Sequence, residues 1–255
     1  MPKSKIEWTE FTWNPVTGCN KISPGCKNCY AESIANRFWK DRKFTDVVCH
    51  EDRLNQPATL KKPRMIFVNS MSDLFHESVP FEFIEKCVNI MATNPQHTYQ
   101  ILTKRPERLL QYCKWQSDKI KQSGYGDGFE FPDFMWIGVS VENQKTADER
   151  IPLLLQTPAK IRWLSVEPLL EPINLDAPQM FLDLIRDRNI ISWIVIGCES
   201  GPNKRECKIE WVHSIAHQGE YAVIPVFVKQ VNINGRVVKD ITLFPEHLRI
   251  REYPQ

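Results

Sequence analysis

Met65-Ile66-Phe67-Val68-Asn69-Ser70, followed by the apolar positions Phe83, Ile84, Cys87, Val88 and Met91, is the stretch whose reading decides the fold. Four successive apolar residues without polar alternation suit a strand buried on both faces, and apolar residues spaced by three and four suit a helix with one buried side. Together they make one βα unit. The pattern recurs downstream, where 99–103 precedes 107–115, 134–140 precedes 147–156, 160–166 precedes 176–188, and 193–197 precedes 209–218. Residues 224–228 are the last strong strand. Upstream, 6–16 is rich in aromatic and β-branched residues and reads as a first strand that ends at Asn14-Pro15, followed by a helix over 31–43. About seven strands alternating with helices predict a parallel sheet with right-handed crossovers. The expectation is one α/β domain over 1–255, a (β/α) barrel, partial or complete and TIM-like, with a polar insertion at 44–63 that could act as a lid or face substrate. A doubly wound open sheet is the alternative, although no Gly-rich dinucleotide fingerprint follows any strand. Gly124-Tyr125-Gly126-Asp127-Gly128 precedes a strand instead of opening a helix and reads as a surface loop.

At 255 residues, 42% hydrophobic and 25% charged, the composition is that of an ordinary globular protein. No apolar run reaches the roughly 18 to 20 residues that span a bilayer, and the start Met1-Pro2-Lys3-Ser4-Lys5 leads into polar and aromatic residues, so a cytoplasmic location is expected. Eight cysteines in so long a chain do not make a secreted disulfide scaffold, and a reducing compartment would leave them as thiols for a metal. A formal net charge of +2 gives no polyanion footprint, which leaves nucleic-acid binding to local patches such as Lys61, Lys62 and Arg64. Trp136, Trp163 and Trp193 lie in apolar runs and suit the core, whereas Trp8, Trp13 and Trp39 flank the cysteines and could shield a cluster from water.

Those cysteines lie in Gly18-Cys19-Asn20-Lys21-Ile22-Ser23-Pro24-Gly25-Cys26-Lys27-Asn28-Cys29-Tyr30, a C-x6-C-x2-C motif between the first strand and the first helix. Pro24-Gly25 lets the loop fold back so that three thiolates can point at one centre. Two chemistries fit. In one, Cys19, Cys26 and Cys29 bind three irons of a [4Fe-4S] cluster, and the open fourth iron chelates S-adenosyl-L-methionine, whose reductive cleavage gives an adenosyl radical. In the other, a fourth ligand closes a structural zinc site, but such sites normally bring a second cysteine or histidine pair. Cys198, at a strand end, is a candidate fourth ligand or a packed thiol. Cys87 and Cys113 suit helix cores, and Cys49 falls in the polar connection. His213 and His217 have metal-clamp spacing without an acidic partner and suit a solvated helix face.

In a barrel the chemistry gathers where strands run into the following helices. Here those ends carry Asn69, Ser70, Ser72 and Asp73; Thr103, Lys104 and Arg105; Ser140, Glu142 and Asn143; Ser165 and Glu167; Glu199 and Ser200; and Lys229 and Gln230. They are hydroxyls, carboxylates and cations, the types that hold a zwitterionic cofactor.

Phe11-Thr12-Trp13-Asn14-Pro15-Val16-Thr17-Gly18-Cys19, the cysteine loop, Asn69-Ser70-Met71-Ser72-Asp73-Leu74-Phe75, Leu102-Thr103-Lys104-Arg105-Pro106, Gly138-Val139-Ser140-Val141-Glu142-Asn143, Ser165-Val166-Glu167-Pro168 and Val228-Lys229-Gln230 together resemble the phage Gp37/Gp68 family, a domain of unknown function that looks like a divergent branch of the radical S-adenosylmethionine barrels. The resemblance covers nearly the whole chain. It departs from the wider superfamily in its six-residue first gap, where C-x3-C-x2-C is usual, and in Tyr30, which follows the last cysteine instead of preceding it. The resemblance implies a barrel of the radical S-adenosylmethionine type and an enzyme that abstracts hydrogen from a substrate, with a nucleic-acid base or nucleotide a plausible target given the phage association. It also implies an electron donor for the cluster. By strand position, Ser70, Ser72 and Asp73 would meet the methionine amino group, Lys104 or Arg105 its carboxylate, and Ser140 and Glu142 carboxylate or ribose, with Tyr30 beside them. Glu167, Glu199 and Lys229 would touch substrate or move protons. The alternative is a non-enzymatic iron-sulfur or zinc protein that binds a partner or nucleic acid.

Overall fold

The computed structural model describes residues 3–124, 126–175, 191–201 and 203–254. Seven strands form one sheet in the order β1 (Phe11–Trp13), β4 (Met65–Val68), β5 (Thr98–Thr103), β6 (Met135–Ser140), β7 (Arg162–Val166), β8 (Trp193–Ile196) and β9 (Val226–Val228). That order has two end strands, so of the two expected forms it fits the partial barrel. The chain divides into two compact units, the first made of Met1–Lys21, Ala31–Gly138 and Gln156–Lys160, the second of Ile22–Tyr30, Val139–Leu155 and Ile161–Gln255. Among the described residues no helix is long and apolar enough to cross a membrane.

In the first unit β1, β4 and β5 are parallel, with Phe11 opposite Ile66 and Met65 opposite Thr98. Ile66, Phe67 and Val68 are all buried, which is why this strand shows no polar alternation. The first strand expected over 6–16 is broken into two. Pro15, which has no N–H to give a ladder, separates β1 from β2 (Val16–Thr17), and β2 pairs antiparallel with β3 (Val48–Cys49). Helix α1 (Tyr30–Phe38) stops short of residue 43. There the chain bends so that Phe44 is buried, while the Arg42 guanidinium lies 3.7 Å over the Trp39 ring and donates to the Thr17 hydroxyl. The polar connection is ordered by two short 3-10 turns, Glu51–Arg53 and Pro57–Thr59, with the Trp13 indole N–H donating to the Arg53 carbonyl at 2.8 Å. Helix α2 (Phe81–Ala92) buries the five apolar positions read from the sequence. Helix α3 (Pro106–Ser123) continues well past residue 115, held by Gln116 to the Tyr112 hydroxyl at 2.8 Å and Lys119 to Glu85 at 2.6 Å, until Gly124 caps it at φ 73°. Cys87 and Cys113 are buried in α2 and α3 as expected.

The second unit holds α4 (Gln144–Leu155) and the parallel strands β7, β8 and β9. Trp163 faces Trp193 across β7 and β8, their ring centroids 5.3 Å apart and both fully buried. Burial of 150–250 Å² by such a ring corresponds to about 4–6 kcal/mol of transfer free energy, an upper bound. Helix α5 (Ile209–Tyr221) leads to β9, and a hairpin follows, β10 (Val231–Ile233) and β11 (Arg236–Val238), turned by Asn234 and Gly235 with φ of 50° and 75°. His213 and His217 are exposed on α5. The helix expected over 176–188 lies outside the described residues.

Candidate cofactor site at the strand ends

Each unit holds part of the cysteine motif, and each part is built from its own strand ends. In the first unit Gly18 sits at φ 95°, and a Cβ there would fall 2.3 Å from the Asp46 carbonyl oxygen, so only glycine fits before Cys19. The Ser72 hydroxyl donates to the Gly18 carbonyl at 2.5 Å. Asn69, at the end of β4, adopts a left-handed φ of 61° and accepts from the Val16 N–H, which ties this strand end to the segment leading into the cysteines. Ser70 donates to the Asn14 side chain at 3.2 Å.

Asp73 is buried and its two oxygens are occupied. They accept from the Thr103 hydroxyl at 2.8 and 3.0 Å, from the Phe75 and Lys104 N–H groups at 2.9 Å each, and face Arg105 at 3.5 Å. Arg105 is the centre of this half. Its Nη1 lies 3.7 Å from Cys19 Sγ, its Nε donates to Glu77 at 3.0 Å, and its Nη2 donates to the Asn20 side chain. Burial works against the guanidinium charge, but Asp73, Cys19 and Glu77 outweigh it and raise its pKa. Asn20 also donates to Glu77 at 3.0 Å and meets His76 at 2.9 Å. The Asn20 hydrogen bond is the main reason Glu77 is held down from 4.5 to about 2, while burial, then Arg105, lowers His76.

In the second unit Cys26 ends a 3-10 turn, Pro24–Cys26. Ser23 approaches Cys26 Sγ at 3.6 Å and donates to Glu142 Oε1 at 2.7 Å. Glu142 is wholly buried, paired with Arg150 Nη1 at 3.2 Å, and Arg150 also donates to the Ser140 carbonyl at 2.6 Å. A Cβ on Gly25 would meet Glu142 Cγ at 2.4 Å, so the turn is pressed directly against this carboxylate. Asn28 donates to Glu199 at 2.9 Å and to the Asn203 carbonyl at 2.8 Å. Glu199 also accepts from the Arg205 N–H and side chain. Burial alone would raise its pKa, but the Arg205 and Asn28 hydrogen bonds prevail and lower it. Two strand-end carboxylates thus fasten the cysteine loop from either side.

Lys229, at the end of β9, donates to Glu167 Oε1 at 2.5 Å, and Gly197 lies beneath that carboxylate, where a Cβ would fall 3.0 Å from its Cδ. Burial, then Cys29 and Glu167, raises the Tyr30 pKa, so its hydroxyl stays protonated even though 47% of the residue is exposed. Burial, then Glu167, pushes the Cys198 thiol up to about 12, and Cys198 is almost fully buried, as packing requires. Lys61 and Lys62 are exposed, whereas Arg64 pairs with Glu10 at 2.8 Å.

The sequence reading missed the Asn20 and Glu77 contacts of Arg105, the contact of His76 with Asn20, and the Ser23 and Asn28 anchors. No spacing signals them, because the partners lie far apart in the chain. Cys19, Cys26 and Cys29 form no disulfide and are part-exposed, and among the described residues no three His, Cys, Asp or Glu side chains are gathered tightly enough for one metal ion. Three soft thiols are the right donors for an iron-sulfur cluster, which spreads its ligands over several irons and does not draw them onto one atom. A closed structural zinc site would need a fourth ligand beyond these three thiols.

Residues 3–240 match the family described as protein of unknown function (DUF5131). No curated protein matches the chain in sequence. Among solved structures, a double mutant of spore photoproduct lyase with bound AdoMet and dinucleoside spore photoproduct is similar at a TM-score of 0.52 and 11% identity, over 94% of this chain and 71% of that one. A cysteine-to-serine mutant of the same lyase gives 0.48 and 13%, over 76% of this chain and 57% of that one. The chain thus spans little more than half the length of that second protein. At such identities the likeness is one of fold.

Proposed function

The chain belongs to the family of unknown function DUF5131, and because that description carries no reaction we propose, from the residues themselves, a radical S-adenosylmethionine enzyme. Cys19, Cys26 and Cys29 would hold a [4Fe-4S] cluster, which together with S-adenosylmethionine would supply a 5'-deoxyadenosyl radical able to take hydrogen from a substrate. One observation carries this reading: three cysteines outside any disulfide lie in a loop fastened at Ser23 to Glu142 and at Asn28 to Glu199. The fold likeness to a lyase solved with AdoMet supports it.

The chain's own residues take three kinds of role. Arg105 offsets the charge of the Cys19 thiolate, while Asp73, Glu142 and Glu199, whose oxygens are engaged with neighbouring loops, act as positioning residues. Ser70, Ser72, Lys104, Tyr30 and Ser140 are the proposed contacts to S-adenosylmethionine, with Tyr30 acting as a neutral donor. Lys229 Nζ donates to Glu167 Oε1 at 2.5 Å, and this pair is the proposed group for substrate contact or proton transfer. The proposed substrate is a nucleic-acid base or nucleotide, supported by the dinucleoside bound to the lyase, and the proposed partner is an electron donor.

Anaerobic reconstitution followed by iron analysis and an assay for 5'-deoxyadenosine with dithionite tests the reading. Four irons and S-adenosylmethionine cleavage are expected. A four-iron cluster without cleavage would leave a non-enzymatic cluster protein, and one zinc with no iron from protein purified without oxygen would overturn the cluster.

A further inference from the structure

The second unit contains an open trough of about 590 Å³ that none of the roles above uses. One wall is the segment around Lys204, Arg205 and Lys208, and the other is the hairpin β10–β11, through Asn232, Asn234 and Gly235. Its volume falls within the roughly 300–1,000 Å³ range of ligand sites. We propose that this trough binds the phosphodiester backbone of a single nucleic-acid strand and so presents the neighbouring base to the cysteine loop, a proposal that rests on the reading of the substrate as a nucleotide.

Four observations carry it. First, Lys204 and Lys208 line the trough, and among the described residues neither makes an ion pair, Lys208 Nζ lying 5.7 Å from the centroid of the Trp211 ring. Second, the facing hairpin adds Arg236, and its residues 231–238 contain no carboxylate. The side-chain amides of Asn232 and Asn234 offer donors and acceptors that suit ribose or base edges. Third, the trough is open to solvent, as a chain that enters and leaves requires. Fourth, the segment that forms its first wall is fastened to the cysteine motif. Arg205 is held by Glu199, and Asn28, between Cys26 and Cys29, donates both to Glu199 and to the Asn203 carbonyl. A strand in the trough would therefore lie beside the loop that bears the thiols. Glu206 and Glu210 also line the trough, and their charges oppose a polyanion. Of the three cations that line the trough, Arg205 is paired with Glu199, so Lys204 and Lys208, with Arg236 on the hairpin, are the cations set against these two carboxylates.

The test is fluorescence anisotropy with a labelled single-stranded oligonucleotide, on the cluster-free and the reconstituted full chain. Wild type is expected to bind, and the Lys204→Glu/Lys208→Glu variant to bind at least about tenfold more weakly in low salt. Its slope of log K against log salt should shrink by about 1.4, since each phosphate contact on a single strand contributes about 0.7. Glu206→Gln/Glu210→Gln should bind more tightly, and an unchanged melting temperature shows that the variants fold. Absence of wild-type binding, equal binding by all variants, or equal competition by polyglutamate would each overturn the proposal. The enzymatic reading fails separately: if the oligonucleotide binds with the expected variant dependence but reconstituted protein makes no 5'-deoxyadenosine, the trough stands and the radical chemistry falls.

Discussion

Gly25→Ala is the sharpest probe of how the cysteine turn is held. The added methyl would lie 2.4 Å from Glu142 Cγ, 2.5 Å from its Oε1 and 2.7 Å from its Cδ, where carbon contacts normally sit near 3.5–4.0 Å. Glu142 cannot yield easily, because it is wholly buried and gripped by Arg150. The turn must therefore lift by about 1 Å, and overpacking of this kind costs about 1–3 kcal/mol. For a chain of this size that lowers the melting temperature by roughly 2–12 °C. Because Cys26 ends the displaced turn, iron uptake should fall as well. The same substitution at Gly128, where the nearest atom is 3.6 Å away, serves as the control and should change stability by less than about 0.5 kcal/mol. In a Glu142→Asp background, which withdraws the carboxylate by one methylene, Gly25→Ala should cost about 1 kcal/mol less than in wild type. Thermal melts and iron counts on the four variants and the wild type decide the matter. A Gly25→Ala protein as stable and as iron-loaded as the Gly128→Ala control, or an equal cost in both backgrounds, would refute the close-packed turn.

Other outcomes follow from the same geometry. Glu77 has a folded pKa of about 2, below its ordinary 4.5, so its contribution is present above pH 4.5 and is lost as pH falls toward 2. Acid titration of stability should flatten slightly in Glu77→Gln, by under about 1 kcal/mol because the side chain is half exposed. Arg105→Met removes the one cation shared by Cys19, Asn20, Asp73 and Glu77 and should destabilise by less than the roughly 3–5 kcal/mol of a broken buried pair, since Asp73 keeps three other donors. Mass spectrometry after brief iodoacetamide treatment should find Cys19, Cys26 and Cys29 modified before Cys87, Cys113, Cys198 and Cys207, which are buried and whose thiols are raised in pKa by burial. In reconstituted protein those three should be protected. Lys229→Met should leave S-adenosylmethionine binding by equilibrium dialysis intact and abolish product formation, whereas loss of binding would place Lys229 with the cofactor instead.

Much of the scaffold could be read from the chain, because buried parallel strands leave continuous apolar runs. The runs at 65–68 and 193–196, and the helix apolar positions at 83–91, match the observed elements closely. Boundaries set by tertiary contacts were not readable: α1 ends where Phe44 turns inward, and α3 is prolonged by Lys119 and Glu85. The hairpin β10–β11 had a local signal in Asn234-Gly235, which the search for βα units passes over. At the site, the cysteine spacing pointed to a metal-binding loop, and the strand ends did carry its partners. The roles of those partners were not readable. A buried carboxylate that holds a loop and one that awaits a ligand have the same letter in the sequence, and only the contacts of Glu142 and Glu199 tell them apart.

The fastening of the cysteine loop bears on the order in which the protein is made. In small zinc domains the metal is the folding nucleus, and a chelator unfolds them. Here the loop is anchored through the scaffold side chains Glu142 and Glu199 and needs no metal to be held, so the polypeptide would finish folding before a cluster of the proposed kind arrived. Inorganic cargo could then be loaded late, lost to oxygen and replaced, with the scaffold serving as a reusable mould.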